Sequence, residues 1–374
     1  MRHERPTMWR TLALALAILA SMVASGTLEC TPPEKTLAVA HGRETYSRMC
    51  AVCHGADGEG YKADQAPALG QADFLASVSD AYLVDAITHG RVGTTMSAWG
   101  RERGGPLPPD EVKDVITFLR SLGSGRVTKL DERPVSGDAG RGGVKYIEEC
   151  AKCHGPKGLG GPYEGIGNRE LLSQASNGFL REAMAHGRKG TMMPAFEAQL
   201  GDPGIDDVLA LLRSWEAATP KEARRLAPPA KPPPLPLGPV PLNPSGPEPV
   251  GFDTPGGFTK ADIVHRELAR GARMGILDAR APPDYVGEHI DGAVSVPFYD
   301  PEPYLTKLPK DAWLVAYCGC PHAESGQLAQ KLRAKGFTKV TVLDEGLHYW
   351  STHFNANAKG EKAARFGTKR GNDP

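Results

Sequence analysis

Hydrophobic positions along the chain fall into several patterns, each pointing to a different kind of structure. From Thr11 to Ser25 the run "TLALALAILASMVAS" is apolar without periodicity. Farther on, Val112, Val115, Ile116 and Leu119 recur at i, i+3, i+4 and i+7, and so do Val208, Leu211, Leu212 and Trp215. That spacing predicts two amphipathic helices, each burying one stripe. From Pro228 to Pro249 eleven of 22 residues are proline, which rules out helix and sheet and predicts extended polyproline II, a semi-rigid spacer holding apart what flanks it. Beyond Phe258 the pattern changes again. "TKADIVHREL" and "GQLAQKLRAKG" read as helices, and "GILDAR" at 275–280, "GAVSVP" at 292–297, "WLVAYC" at 313–318 and "VTVLDEG" at 340–346 read as short buried strands. Apolar runs alternating with helices predict an α/β domain with a parallel sheet.

The first apolar run follows Arg2, Arg5 and Arg10 and ends in small residues around Ala24–Gly26. This is the layout of a secretory signal, and it predicts export to the periplasm. The stretch to Leu28 is also about long enough to remain as an uncleaved membrane anchor. Cys30 directly follows it, as in a bacterial lipoprotein, although Glu29 stands where a small residue is expected. The 44 basic residues balance 44 acidic ones, so no basic excess points to nucleic acid. With 374 residues, about two to three domains are expected.

Seven cysteines, at 30, 50, 53, 150, 153, 318 and 320, are an odd number for an exported chain and call for a use other than simple disulfides. "CAVCHG" at 50–55 and "CAKCHG" at 150–155 are each C-x-x-C-H, the attachment motif of c-type heme. Two thiols three positions apart can each add to a heme vinyl group, and the adjacent histidine faces the iron. A zinc knuckle or a redox dithiol is the competing use of such a motif. Here the surroundings repeat with it. Tyr46 and Tyr146 lie four residues before the first cysteine, Gly55, Gly58 and Gly60 match Gly155, Gly158 and Gly160, and "HGRVGTTMSAW" from His89 matches "HGRKGTMMPAF" from His186. This alignment pairs Met96 with Met193 and Trp99 with Phe196.

Residues 36–124 and 136–217 each resemble a class I cytochrome c domain, an all-α fold. The resemblance implies two covalent heme c groups, attached at Cys50 and Cys53 and at Cys150 and Cys153. It also implies axial pairs His54 with Met96 and His154 with Met193, and electron exchange with redox partner proteins. A thioether ligand favours reduced iron. The alternatives for each methionine are a core filler or, for the second unit, displacement by Met192. His89 and His186 would be alternative ligands or would pack near the heme edge. Ser97 departs from the family, which usually has proline after the ligand methionine.

Residues 258–354 resemble a rhodanese domain, on "LDARAPPDYVGEHIDGAVSVP", "VAYCGCPHAESGQLAQKLRAKGF" and "VLDEGLHYW". The resemblance places a persulfide-forming nucleophile at Cys318 and implies transfer of sulfane sulfur from a small sulfur compound to a thiol or cyanide. A cysteine at a helix N-terminus is acidified by the backbone N–H groups there. The loop departs from the family: Pro321 removes a donor, Glu324 places negative charge where a base or hydroxyl is usual, and the loop is about one residue longer. These features disfavour a dianion such as thiosulfate, and the absence of a loop arginine disfavours phosphatase chemistry. Cys320 is a second thiol or an ordinary small residue, and His322 is a candidate base. The expected organisation is a signal or anchor at 1–29, two cytochrome domains, a Pro-rich linker at 218–257, the rhodanese-like domain and a polar tail at 355–374. Three functions remain open: a carrier whose hemes take electrons from sulfur chemistry at Cys318, a carrier with a binding module, and an uncoupled sulfurtransferase.

Overall fold

The computed structural model describes residues 33–91, 94–218, 239–319, 322–354 and 357–358. The signal or anchor segment, Cys30, the proline run up to residue 238, Cys320, Pro321 and the tail beyond 358 lie outside them. No helix among the described residues is long and apolar enough to cross a membrane.

The first all-α domain starts with helix α1 (Pro33–Met49), continues through the one-turn helix α2 (Ala51–His54), α3 (Ala72–Ser77) and α4 (Asp80–His89), and closes with α5 (Pro109–Leu122). Val112, Val115, Ile116 and Leu119 are buried as the periodicity requires, with Tyr46, Leu83, Ile87 and Trp99 around them. The second domain repeats the plan. It has α6 (Ala139–Lys145), a π-turn at Tyr146–Cys150, α7 (Ala151–His154), α8 (Arg169–Gln174), α9 (Asn177–His186) and α10 (Glu197–Ala218). Gly201 breaks α10 with φ near +60°, and Pro203 then stands in the first turn of the segment that follows, where no N–H is needed.

Two features of this repeat were not read from the sequence. In each domain a glycine lets the opening helix touch the closing one. A Cβ added at Gly42 would lie 1.9 Å from the Asp114 carbonyl oxygen, and one at Gly142 would lie 2.0 Å from that of Asp207. In each domain an arginine of the closing helix also ties down the preceding short helices. Arg120 donates to the carbonyls of Leu75 and Val78 and to Asp80, and Arg213 donates to the carbonyls of Leu172 and Ala175 and to Asn177. These bonds satisfy C-terminal carbonyls that a helix leaves open.

The third domain has a five-stranded, all-parallel sheet in the order β1-β6-β5-β2-β4: β1 (Phe258–Thr259), β2 (Met274–Asp278), β4 (Ala293–Ser295), β5 (Trp313–Tyr317) and β6 (Val340–Leu343). Strands β3 (His289–Ile290) and β7 (Asn357–Ala358) form a small antiparallel pair. Every residue of β2 and β6 is buried, as in sheets covered on both faces. Helices α11 (Ala261–Ala269), α12 (Pro282–Gly287), α13 (Ala323–Ala334) and α14 (Gly346–Phe354) alternate with the strands. The two-residue β1 was too short to predict. The expected spacing between domains is corrected: the core of the first cytochrome domain is continuous with that of the sheet domain. The described end of the linker is packed too, with Val240 buried and its Cγ1 close over Gly275, and with Asn243 Nδ2 donating to the Gly271 carbonyl at 2.6 Å.

Candidate functional site

Both C-x-x-C-H motifs open onto one continuous cavity of about 1720 Å³. That exceeds the range of about 300–1,000 Å³ usual for one small-molecule pocket. Cys50, Cys53, His54 and Met96 line one part, and Cys150, Cys153, His154 and Met193 line another. His54 and His154 are both buried. The Nδ1 of His54 bonds the Pro67 carbonyl at 2.9 Å and that of His154 bonds the Glu164 carbonyl at 2.9 Å. This fixes each ring and leaves Nε2 for a ligand.

The methionine loops match bond for bond. Arg91 N–H donates to the Met96 carbonyl and Arg188 N–H to the Met193 carbonyl, each at 3.0 Å, while Thr94 and Thr191 each accept from the methionine N–H at 3.1 Å. Gly90 and Gly187 both have φ near +66°, and a Cβ there would lie within 2.6 Å of the methionine carbonyl oxygen. The His-Gly-Arg element thus closes a loop that presents the methionine. Its histidines are used otherwise: His89 Nδ1 lies 3.1 Å from Asp85 and its Nε2 2.8 Å from Glu102, and His186 pairs more loosely with Glu182 and Glu197. Met192 is 72% exposed, whereas Met193 is half-buried.

The donor set fits c-type heme. Burial pushes the Cys50 and Cys53 thiols up to about 12 and Cys150 up to about 11. Among the described residues no three His, Cys, Asp or Glu side chains gather into a metal-holding cluster. Among the described residues, Arg91 and Arg188 carry buried terminal nitrogens without a hydrogen-bond partner, both Nη1 and Nη2 of Arg91 and Nη1 of Arg188, although Arg91 Nη1 lies 3.6 Å from the Asp85 carboxylate. Both arginines line the cavity. Heme propionates would satisfy them. Arg91 lies 4.8 Å over the Tyr82 ring and Arg188 5.0 Å over the Phe179 ring. Sequence reading passed over these arginines, although both stand in the repeated His-Gly-Arg.

The same cavity reaches the cysteine loop, where it is lined by Gly319, His322, Glu324 and Arg280. Cys318 directly follows β5 and is fully buried, with Sγ 3.2 Å from the Ser325 hydroxyl, a neighbour the sequence did not reveal. It precedes α13, the strand-to-helix position where open α/β sheets bind ligands. His322 caps α13 with φ near +76°, and its Nε2 bonds Asp344 at 2.8 Å, so this nitrogen is engaged away from the thiol. Glu324 corrects an expectation. Its carboxyl is buried and makes no hydrogen bond or ion pair among the described residues. Burial first, and then the neighbouring Cys318 charge, hold it well above the usual carboxylate range. The site thus favours the neutral, protonated form of this carboxyl beside the thiol. Cys53 lies within electrostatic reach of both Glu324 and Cys318.

Family comparison agrees with this partition. The model described as "Cytochrome C oxidase, cbb3-type, subunit III" matches residues 37–119 and 137–212, and the rhodanese-like domain model matches 260–353. A cbb3-type cytochrome c oxidase subunit FixP from Bradyrhizobium sp. is 33% identical over 53% of this chain and 66% of its own length. A subunit CcoP from Azospirillum sp. is 31% identical over 45% of this chain and 59% of its own. The chain spans about three fifths of the length of these relatives. A rhodanese-like domain from Anabaena sp. is 25% identical, over 32% of this chain and 88% of that one, with a TM-score of 0.27. The chain thus carries two cytochrome c-like domains similar to the cbb3 subunit III family, joined to a C-terminal rhodanese-like domain.

Proposed function

We propose that this protein is an exported electron carrier with two covalently bound heme c groups. Cys50, Cys53, His54 and Met96 would hold the first, and Cys150, Cys153, His154 and Met193 the second. When bound, each heme supplies a one-electron acceptor and donor. Its rhodanese-like domain carries sulfane sulfur at Cys318, and oxidation of a sulfur compound there feeds the hemes. The observation that carries this reading is the single cavity reaching both C-x-x-C-H motifs and the Cys318 loop.

The sulfur half-reaction balances with one nucleophile. The Cys318 thiolate and a hydrosulfide ion form one S–S bond, giving a persulfide anion, one proton and two electrons, the number that two bound hemes would accept. Ser325 holds the sulfur by its hydroxyl. The neutral Glu324 acid can hydrogen-bond developing negative charge, as a buried carboxylic acid does when its site keeps it protonated. Cys320, if it joins in, would resolve the persulfide as a disulfide.

The relatives named as oxidase subunits suggest a redox partner in a membrane-bound oxidase, with attachment through the N-terminal segment or a lipid at Cys30. The test is anaerobic. Oxidised protein is mixed in turn with sulfide, thiosulfate and a low-molecular-weight persulfide, and the reduced-heme absorbance is followed. Fast reduction that is lost in Cys318→Ser supports the coupling. Equal rates in both proteins would leave a carrier with a separate binding module, and cyanide-dependent thiocyanate formation independent of heme redox state would indicate an uncoupled sulfurtransferase.

A further inference from the structure

Residues of the first methionine loop meet the rhodanese-like domain at every second position. A Cβ added at Gly319, next to Cys318, would lie 3.4 Å from Thr95 Cγ2. The buried Ser97 hydroxyl donates to the Asp284 carboxylate of α12 at 2.5 Å. Trp99 packs edge-on against Tyr299 at 5.6 Å. Two-residue periodicity is that of an extended chain with alternating faces. Thr95, Ser97 and Trp99 thus make the contacts to the sulfur domain, and all three line the cavity together with Met96, which stands between them. The second copy is an internal control. At the place of the buried Ser97 it has Pro194, which is exposed; the other two positions do not differ, since Thr95 and Met192 are both exposed and Trp99 and Phe196 both buried. Serine in place of the family's proline therefore stands where a docking hydrogen bond is made.

We infer that the rhodanese-like domain clamps the ligand loop of the first heme site, with Ser97 as the positioning residue, so that the state of Cys318 is felt at Met96 and not at Met193. This rests on reading Met96 as an iron ligand and Cys318 as a sulfur carrier. Helix α2, which carries Cys53 and His54, also contacts α13, which starts just after the cysteine loop. The first site is therefore held from both its attachment side and its methionine side by the domain that carries the thiol.

The test uses full-length holoprotein and imidazole, which competes with methionine for iron. The two hemes are assigned with Met96→His and Met193→His. Ser97→Ala and Asp284→Ala are each expected to raise imidazole affinity at the first heme by about fivefold to tenfold, the factor that goes with the loss of one hydrogen bond. The second heme is expected to stay at its wild-type value. Wild-type affinities at both hemes in both variants would overturn the clamp. In a second arm, Cys318 is loaded with sulfur from glutathione persulfide and checked by mass. A change in imidazole affinity confined to the first heme is expected. Sulfur uptake without that change would overturn the link to Cys318. Absence of uptake would refute the sulfur-carrier reading instead, and the two variants would still decide the clamp.

Discussion

Tyr82 and Phe179 occupy equivalent positions in the two cytochrome repeats and pack against each other, with ring centroids 5.6 Å apart and planes tilted by 32°. Each also carries the arginine of its own His-Gly-Arg over its face. The repeat is therefore a physical pair as well as a sequence pattern. Phe74 against Phe179 and Tyr61 against Tyr163 extend the contact, and the Tyr61 hydroxyl donates to Glu164 at 3.0 Å.

Removing this aromatic pair should uncouple the two cytochrome domains. Tyr82→Ala, Phe179→Ala and the double variant form a thermodynamic cycle. An interaction energy of about 1 kcal/mol is expected, beyond the area each ring buries. Thermal unfolding of the full chain would measure it. Strictly additive losses would mean the rings only fill space.

The contact between opening and closing helices predicts opposite outcomes at adjacent glycines. Gly142→Ala drives a methyl into the Asp207 carbonyl and should destabilise the second domain by about 2–3 kcal/mol, as overpacking does. At Gly143 the nearest atom is Leu211 Cδ1, 4.0 Å from the added carbon, so Gly143→Ala should be neutral or stabilise the helix by about 0.5–1 kcal/mol. Equal effects of the two would contradict the close approach.

Asp207 sets an acid limit on the second domain. The Arg141 guanidinium bonds its carboxylate at 2.7 and 3.0 Å and holds it below the usual carboxylate range, with help from the Asp138 N–H and Lys145. The unfolded chain takes up this proton near pH 3.9, before the folded one does. The stabilisation is therefore complete above that value and lost as pH falls through the lower folded value. The stability gap between wild type and Asp207→Asn should hold constant from pH 7 to pH 5 and narrow below about pH 3.9. A gap that widens in acid would reverse the assignment.

Glu324 predicts the opposite slope. Its folded carboxyl keeps a proton that the unfolded chain releases near pH 4.3. Folding should therefore weaken as pH rises through that window toward the raised folded value. Glu324→Gln lacks this slope, so its melting temperature should exceed wild type at pH 7.5 and match it at pH 4. Equal differences at both pH values would mean that Glu324 is ionised in the folded protein.

Local chemistry was legible without the fold. The C-x-x-C-H spacing, the paired methionines, the closing-helix periodicity and the α/β alternation after Phe258 each arise within some twenty residues, where one repeat or period is enough to read them. The structure supplies elements where those patterns fall, with β2, β4, β5 and β6 within two residues of the expected strand starts. Gly42, Gly142, Arg120 and Arg213 were within reach as well, because each keeps its place in the repeat, but no short motif marks them.

Relations between distant segments were decided only by tertiary structure. A proline run states its own stiffness and not where its ends dock, so the sequence suggested separated domains, whereas the sheet domain shares a core with the first cytochrome domain. The charge of Glu324 is likewise not a property of its residue type. It is set by how much water and how many partners the fold leaves to the carboxyl, and here burial beside Cys318 keeps it protonated. Ser97 reads in sequence as a loosened loop, and becomes a docking contact only because Asp284, 187 residues away, is brought to it. Sequence by itself determined which groups this chain carries and how each repeat presents them. Long-range packing decided which of them face one another, because burial and hydrogen bonding depend on neighbours that the linear order does not name.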